Sequence, residues 1–185
     1  GPRARAAEAP QPAPQRALVR SVGVGSREYA TAWAGPLAVA VYSALHLSLT
    51  PDRASDLRML GIALAMGAVA DSALAATGVL QFASPWPWTF AAPVWILAMW
   101  AGFALTLNHS MAFLRGRWLT AFLFGAVGGP LAYWGASRGF DAVAFGQGLP
   151  VAMAALAVTW GIAMPALYAL HGAGRGAAVR ARAAA

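Results

Sequence analysis

The residues of this chain best suited to chemistry are few, and they lie inside apolar text. Asp71 stands in GAVADSALAATG, a stretch of small and apolar residues within the longer run 59–82. Facing lipid near the middle of such a run, a carboxylate would cost at least about 2.5–3.5 kcal/mol. Asp71 is therefore expected to face a partner helix. There it serves as a protonated or hydrogen-bonded carboxyl that fixes helix register, as a group that handles protons or a ligand, or as a catalytic group. Tyr133, about one turn beyond Pro130 in GAVGGPLAYWGA, brings a hydroxyl to a comparable depth. Pro130 removes one helical amide bond, so a kink is expected, and the carbonyls freed near Ala126 need partners. Tyr133 or a loosened backbone group is expected within reach of Asp71.

Two further groups are candidates for the same pocket. Tyr42, Ser43, His46 and Thr50 follow a helical stripe in one run, and Thr106, Asn108 and His109 cluster near the end of another. Those two runs point the same way across the bundle, so His46 and His109 are expected at similar depth. The intramembrane polar site read from the sequence is thus Asp71, Tyr133, His46, Asn108 and His109. Two imidazoles and a carboxylate are the ligand set of a facial metal triad. The spacing speaks against a metal here: there is no Glu-x-x-His or His-x-x-x-His pair, and Asp71 is deeper than either histidine by a couple of turns. No metal ligand is assigned, and both histidines are expected at the interface, hydrogen-bonded to water or serine. No nucleophile sits beside an evident base, so no catalytic residue and no cofactor is assigned.

These groups must be positioned by helices in a bilayer. The chain is 59% hydrophobic and 10% charged, with mean hydropathy +0.58, far from the roughly 25% charged of a soluble domain. Five apolar runs, near 30–49, 59–82, 88–110, 117–137 and 149–171, are each long enough for the roughly 20 residues a span needs. The expected fold is all-α: a polytopic transmembrane helical bundle of about five spanning helices with short loops. Ala63, Gly67, Asp71 and Ala75, continued by Gly78, form a small-residue stripe. Ala121, Gly125 and Gly129, extended by Ala132 and Ala136, form the surface expected to receive it. Trp86, Trp88, Trp118 and Trp134 fall near expected helix ends, where indoles sit well at headgroup level, while Trp95, Trp100 and Trp160 lie deeper.

Charge completes the frame. All 13 basic residues are arginine and the net charge is +7, which suits membrane lipids with anionic headgroups at the arginine-rich tails and loops. Aromatics do not interleave with the arginines, so no nucleic acid partner is expected. With no cysteine, disulfides, thiolate nucleophiles and cysteine metal sites are excluded. Residues 1–29 read as a disordered or loosely attached tail, 30–171 as the bundle, and 172–185 as a flexible basic C-terminal tail. Arg53, Arg58, Arg115, Arg117, Arg175, Arg180 and Arg182 share one side. Arg138 and the tail arginines Arg16, Arg20 and Arg27 share the other, which favours a cytoplasmic C-terminus.

The succession GPLAVAVYSALHL, GAVADSALAATGVLQF, APVWILAMWAGFALTLNHSMAFL and GAVGGPLAYWGA resembles a family of small bacterial inner-membrane proteins catalogued as domain of unknown function 2878. The similarity spans about residues 33–144. Its matching positions include His46, Gly67, Asp71, Gly78, Pro93, Trp95, Trp100, Ser110, Gly129, Pro130 and Tyr133. The resemblance implies a helical bundle in the plasma membrane and supplies no reaction. Family members usually begin with another hydrophobic helix where this chain carries its arginine-rich tail. Three functions are compatible with these readings. The leading one is a non-catalytic accessory or lipid-handling subunit, with a possible partner membrane protein. A membrane-embedded lipid-modifying enzyme and a small proton-coupled transporter are the alternatives; five helices without inverted repeats argue against the transporter.

Overall fold

The computed structural model describes residues 33–183, with side chains described as far as residue 174. Its elements are α1 (Trp33–Leu49), α2 (Arg53–Ala76), β1 (Leu80–Phe82), α3 (Val94–Asn108), a 3-10 turn (Ala112–Leu114), α4 (Trp118–Phe140), β2 (Val143–Phe145) and α5 (Leu149–Ala183). The fold is an all-α bundle. Among the described residues three helices, Arg53–Ala76, Trp118–Phe140 and Leu149–Gly174, are long and apolar enough to cross a membrane. Within the described residues the helices of the other two expected spans are apolar but shorter; the 15 residues of α3 cover about 22 Å, against a hydrocarbon core of about 30 Å. Leu37, Val41 and Leu45 on α1 and Leu123, Val127 and Leu131 on α4 recur every four residues and are exposed. A helix that turns an apolar stripe outward is built for lipid, the reverse of a soluble amphipathic helix.

The second helix begins and ends earlier than the run 59–82 predicts. Asp52 starts it by accepting a hydrogen bond from the Ser55 amide at 3.1 Å, which satisfies one of the orphan donors of the first turn. At the other end Thr77 Oγ1 donates to the Ala73 carbonyl at 2.8 Å, and Gly78 takes a left-handed φ of +71°, the usual helix stop. Gly78 therefore leaves the packing stripe to which the sequence assigned it. The next residues form β1, which pairs antiparallel with β2 in the register Leu80↔Phe145, Gln81↔Ala144, Phe82↔Val143. Asp71 consequently lies five residues before the end of α2, about 7 Å from it, and not at mid-helix.

Two more boundaries move. Helix α3 starts at Val94, after the proline-rich SPWPW and Pro93, because proline disfavours helical backbone in the residue before it. Helix α5 runs on to Ala183, through the stretch 172–185 read as a tail. Alanine and arginine, which dominate that stretch, are both good helix formers. The tail 1–29 lies outside the described residues.

The core sits where α2, α3 and α5 meet, around Met59, Ala63, Ile96, Trp100, Leu156 and Met164. Trp100 and Trp160 stack at its centre, with ring centroids 4.3 Å apart and planes within 12°. Glycines make room for them. A Cβ on Gly67 would overlap the Trp100 indole, one on Gly129 the Trp160 side chain, and one on Gly125 the Trp160 carbonyl oxygen. The small face of α4 therefore receives α5, not α2 as the sequence suggests. A stripe of small residues permits close approach by any helix, and the partner is chosen by where the tryptophans need space. Helix α4 runs from Trp118 to Phe140 with Pro130 inside it.

Candidate functional site

Two polar clusters lie at opposite ends of α2, anchored on Asp71 and Asp56. Fifteen residues separate them, about 22 Å along the helix. The single site expected from the sequence is thereby split. Asp71 and Tyr133 belong to the cluster near the strand pair, whereas His46, Asn108 and His109 gather at the arginine-bearing end.

Asp71 is 1% exposed and both its oxygens are capped. Trp100 Nε1 donates to Oδ2 at 2.6 Å, and the Tyr133 hydroxyl donates to Oδ1. One carboxyl thus ties α2 to α3 and to α4. In a medium without water an unmatched donor costs several kcal/mol, so each of the three groups needs the others. The arrangement is a closed latch, with no face of the carboxyl turned to a substrate.

The other cluster surrounds Asp56, which sits in the first turn of α2 and is fully buried. Thr50 Oγ1 donates to Oδ2 at 2.7 Å, and Asn108 Nδ2 donates to Oδ1. His46 Nε2 lies 3.1 Å from Oδ2, and His109 Nε2 lies 3.0 Å from Oδ1 and 3.2 Å from Oδ2. The two imidazoles also face each other, Nε2 to Nε2 at 3.2 Å. These three side chains have ligand atoms that all lie within 4.8 Å of one another, and they could hold a metal ion. Around them, Asn108 Nδ2 also reaches Ser55 Oγ at 3.2 Å. Ser55 Oγ meets His171 Nε2 at 3.0 Å. Arg115 Nη2 donates to the Asn108 carbonyl at 3.0 Å and to its side-chain oxygen.

His46 and His109 therefore meet a carboxylate, a partner the sequence reading did not give them. Sequence reasoning missed Asp56 because TPDRASD reads as a loop, and it paired the histidines with the wrong acid. The available signal was Asp52 three residues before Ser55, a helix start that places Asp56 one turn inside α2. Ser43, one turn before His46, has a buried Oγ with no hydrogen-bond partner among the described residues.

Beside the Asp71 latch lies an apolar cavity of about 290 Å³ between α3, α4 and α5, lined by Trp100, Phe103, Gly128, Tyr133 and Trp160. Met99 and Phe124 also line it and are 47% and 41% exposed. The cavity thus opens sideways on the flank of the bundle, not at either end. Toward the arginine-bearing end of the same α4–α5 seam is a second cavity of about 550 Å³, lined by Arg115, Trp118, Tyr168 and His171.

Comparison with curated proteins and with solved structures gives no match. A family model does match, over residues 21–166, which takes in α1, both polar clusters and the side cavity. The chain belongs to the family described as Protein of unknown function (DUF2878).

Proposed function

We propose that this protein is a lipid-handling membrane subunit that takes an acyl chain into the side of its bundle and performs no chemistry on it. The observation that carries this reading is the laterally open apolar cavity beside Trp100 and Tyr133. A ligand that enters through a lipid-facing flank comes from the bilayer. The volume, about 290 Å³, matches the lower end of ligand pockets, about 300–1,000 Å³. Because Asp71 engages the polar atoms of Trp100 and Tyr133, the cavity meets chiefly their ring surfaces, which suit a hydrocarbon. Arg115 in the neighbouring cavity supports an anionic headgroup there. The capped Asp71, and a cavity lining without a nucleophile and base, favour a non-catalytic role, with chemistry left to a partner membrane protein. The location that goes with this reading is the bacterial inner membrane, with the arginine-bearing end and the C-terminus in the cytoplasm.

Native mass spectrometry after gentle extraction tests it, with Gly128→Phe as the comparison. Gly128 lines the cavity and a Cβ there meets only Phe124, at 4.0 Å, so a phenylalanine at this position takes up cavity space without a clash at its Cβ. The wild type is expected to carry co-purified lipid and to be labelled by a photoactivatable acyl lipid on α3 or α4. The variant should lose both at an unchanged melting temperature. Equal lipid retention and labelling in the two proteins would defeat the lipid reading, and turnover of lipid by the isolated chain would defeat the non-catalytic one.

A further inference from the structure

We infer that His46, Asp56 and His109 form a binding site for one divalent transition-metal ion, of the zinc or iron(II) kind, at the arginine-bearing end of the bundle. The inference does not depend on the lipid reading. It rests on how three ligand atoms from three helices or their ends meet.

With the Asp56 carboxyl ionised, protons on the two imidazoles cannot satisfy this meeting. The three contacts that share one carboxylate oxygen are His46 Nε2 to Asp56 Oδ2 at 3.1 Å, His109 Nε2 to the same Oδ2 at 3.2 Å, and His46 Nε2 to His109 Nε2 at 3.2 Å. Each Nε2 carries either a hydrogen or a lone pair, never both. If both nitrogens are protonated, both donate to the carboxylate, but their hydrogens then crowd each other across the third contact. If only one is protonated, the other points a lone pair at the carboxylate oxygens. If neither is, all three contacts are repulsive. With the carboxyl ionised, no protonation state of the two imidazoles makes all three contacts attractive.

A cation at the centre makes all three attractive at once. Ligand atoms bound at about 2.1 Å and subtending 90–109° at an ion stand about 3.0–3.4 Å apart, which is the spacing observed here. A triangle of such edges puts an ion about 1 Å out of its plane, so the ligands occupy one side and leave positions open on the other. Two imidazoles and one carboxylate with open positions are the donor set of zinc and non-haem iron(II) centres. The carboxylate is also oriented as a ligand should be. Thr50 and Asn108 hold it from behind, and Arg115 holds Asn108 in turn, the supporting layer that metal ligands need. The His109 side chain is 44% exposed, so an ion and a further ligand have a way in.

The chain favours an unambiguous measurement. It has no cysteine and only three histidines, and the third, His171, bonds to Ser55 outside the triangle. Tag-free protein in mild detergent, loaded with Zn²⁺ in one arm and anaerobically with Fe²⁺ in another, is desalted and assayed for bound metal. One equivalent per chain is expected in at least one arm. The Co²⁺ form should show the visible absorption bands of a low-symmetry nitrogen–oxygen site. His109→Ala, a change at a half-exposed side chain, should abolish retention and the Co²⁺ bands at an unchanged metal-free melting temperature. Asn108→Ala should weaken binding roughly 10–100-fold without abolishing it, because Asn108 is a positioning residue. Retention of no ion by the wild type in either arm would overturn the proposal, as would equal retention by His109→Ala. Either result leaves the cluster a hydrogen-bonded clasp between helix ends.

Discussion

Replacing Asp71 tests the latch most directly, because two substitutions of similar size should part company. In Asp71→Asn the amide oxygen still accepts from Trp100 Nε1, and the amide nitrogen can donate to Tyr133, whose hydroxyl accepts as readily as it donates. Both bonds seen in the structure, Trp100 to Oδ2 and Tyr133 to Oδ1, thus have a replacement, and near-native stability is expected. In Asp71→Leu no acceptor remains, and two donors on residues 2% and 3% exposed are orphaned. An unsatisfied buried donor costs about 1–3 kcal/mol, so the pair gives about 2–6 kcal/mol. Hydrogen bonds between helices in lipid average only about 0.6 kcal/mol, which moves the expectation to the low end, about 2 kcal/mol. The assay is reversible unfolding in mixed detergent micelles, followed by tryptophan fluorescence. Adding Tyr133→Phe closes a double-mutant cycle: it should cost stability in the wild type and almost nothing beside Asp71→Leu. A leucine variant within about 0.5 kcal/mol of wild type, or a Tyr133→Phe cost that is the same in both backgrounds, would refute the reasoning.

Other expectations follow from the packing. Gly67→Ala places a methyl group into the Trp100 indole and should cost about 1–3 kcal/mol by overpacking. Gly61→Ala, on the same helix with nothing within 4 Å, should be neutral or gain up to about 1 kcal/mol; thermal melts of the two variants decide whether close approach or propensity governs α2. Asp52→Ala removes the cap on Ser55 and should cost about 0.5–2 kcal/mol. Because Asp56 lies one turn further on, the same variant should also raise hydrogen exchange at the amides of the first turn of α2.

Much of this molecule is legible in its residues, and the part that is not has a common cause. Apolar run length separates helix from loop, so the all-α bundle can be read directly. A lone acid in such a run demands a donor, which is why Tyr133 could be matched to Asp71 across 62 positions. Run length does not separate helix from strand, and GVLQF reads as more helix although Gly78 has already turned the chain. Nor does it include charged residues that belong to a helix. Asp56 precedes the apolar text and so reads with the loop before α2, which leaves the histidine cluster without its centre. Small-residue stripes show that helices approach closely but carry no address, so the partner of Gly125 and Gly129 emerges only once Trp160 is placed.

The strand pair has a consequence for how the chain is made. Phe82 meets Val143 only after α3 and α4 have been synthesised, 61 positions later, which at about 5–20 residues per second is about 3–12 s of translation. Until then the backbone groups of β1 lack their mates, and water can hold them more cheaply than hydrocarbon can. Closing so long a loop is entropically slow. The clip that joins the end of α2 to the approach to α5 therefore closes only after both intervening helices have been made.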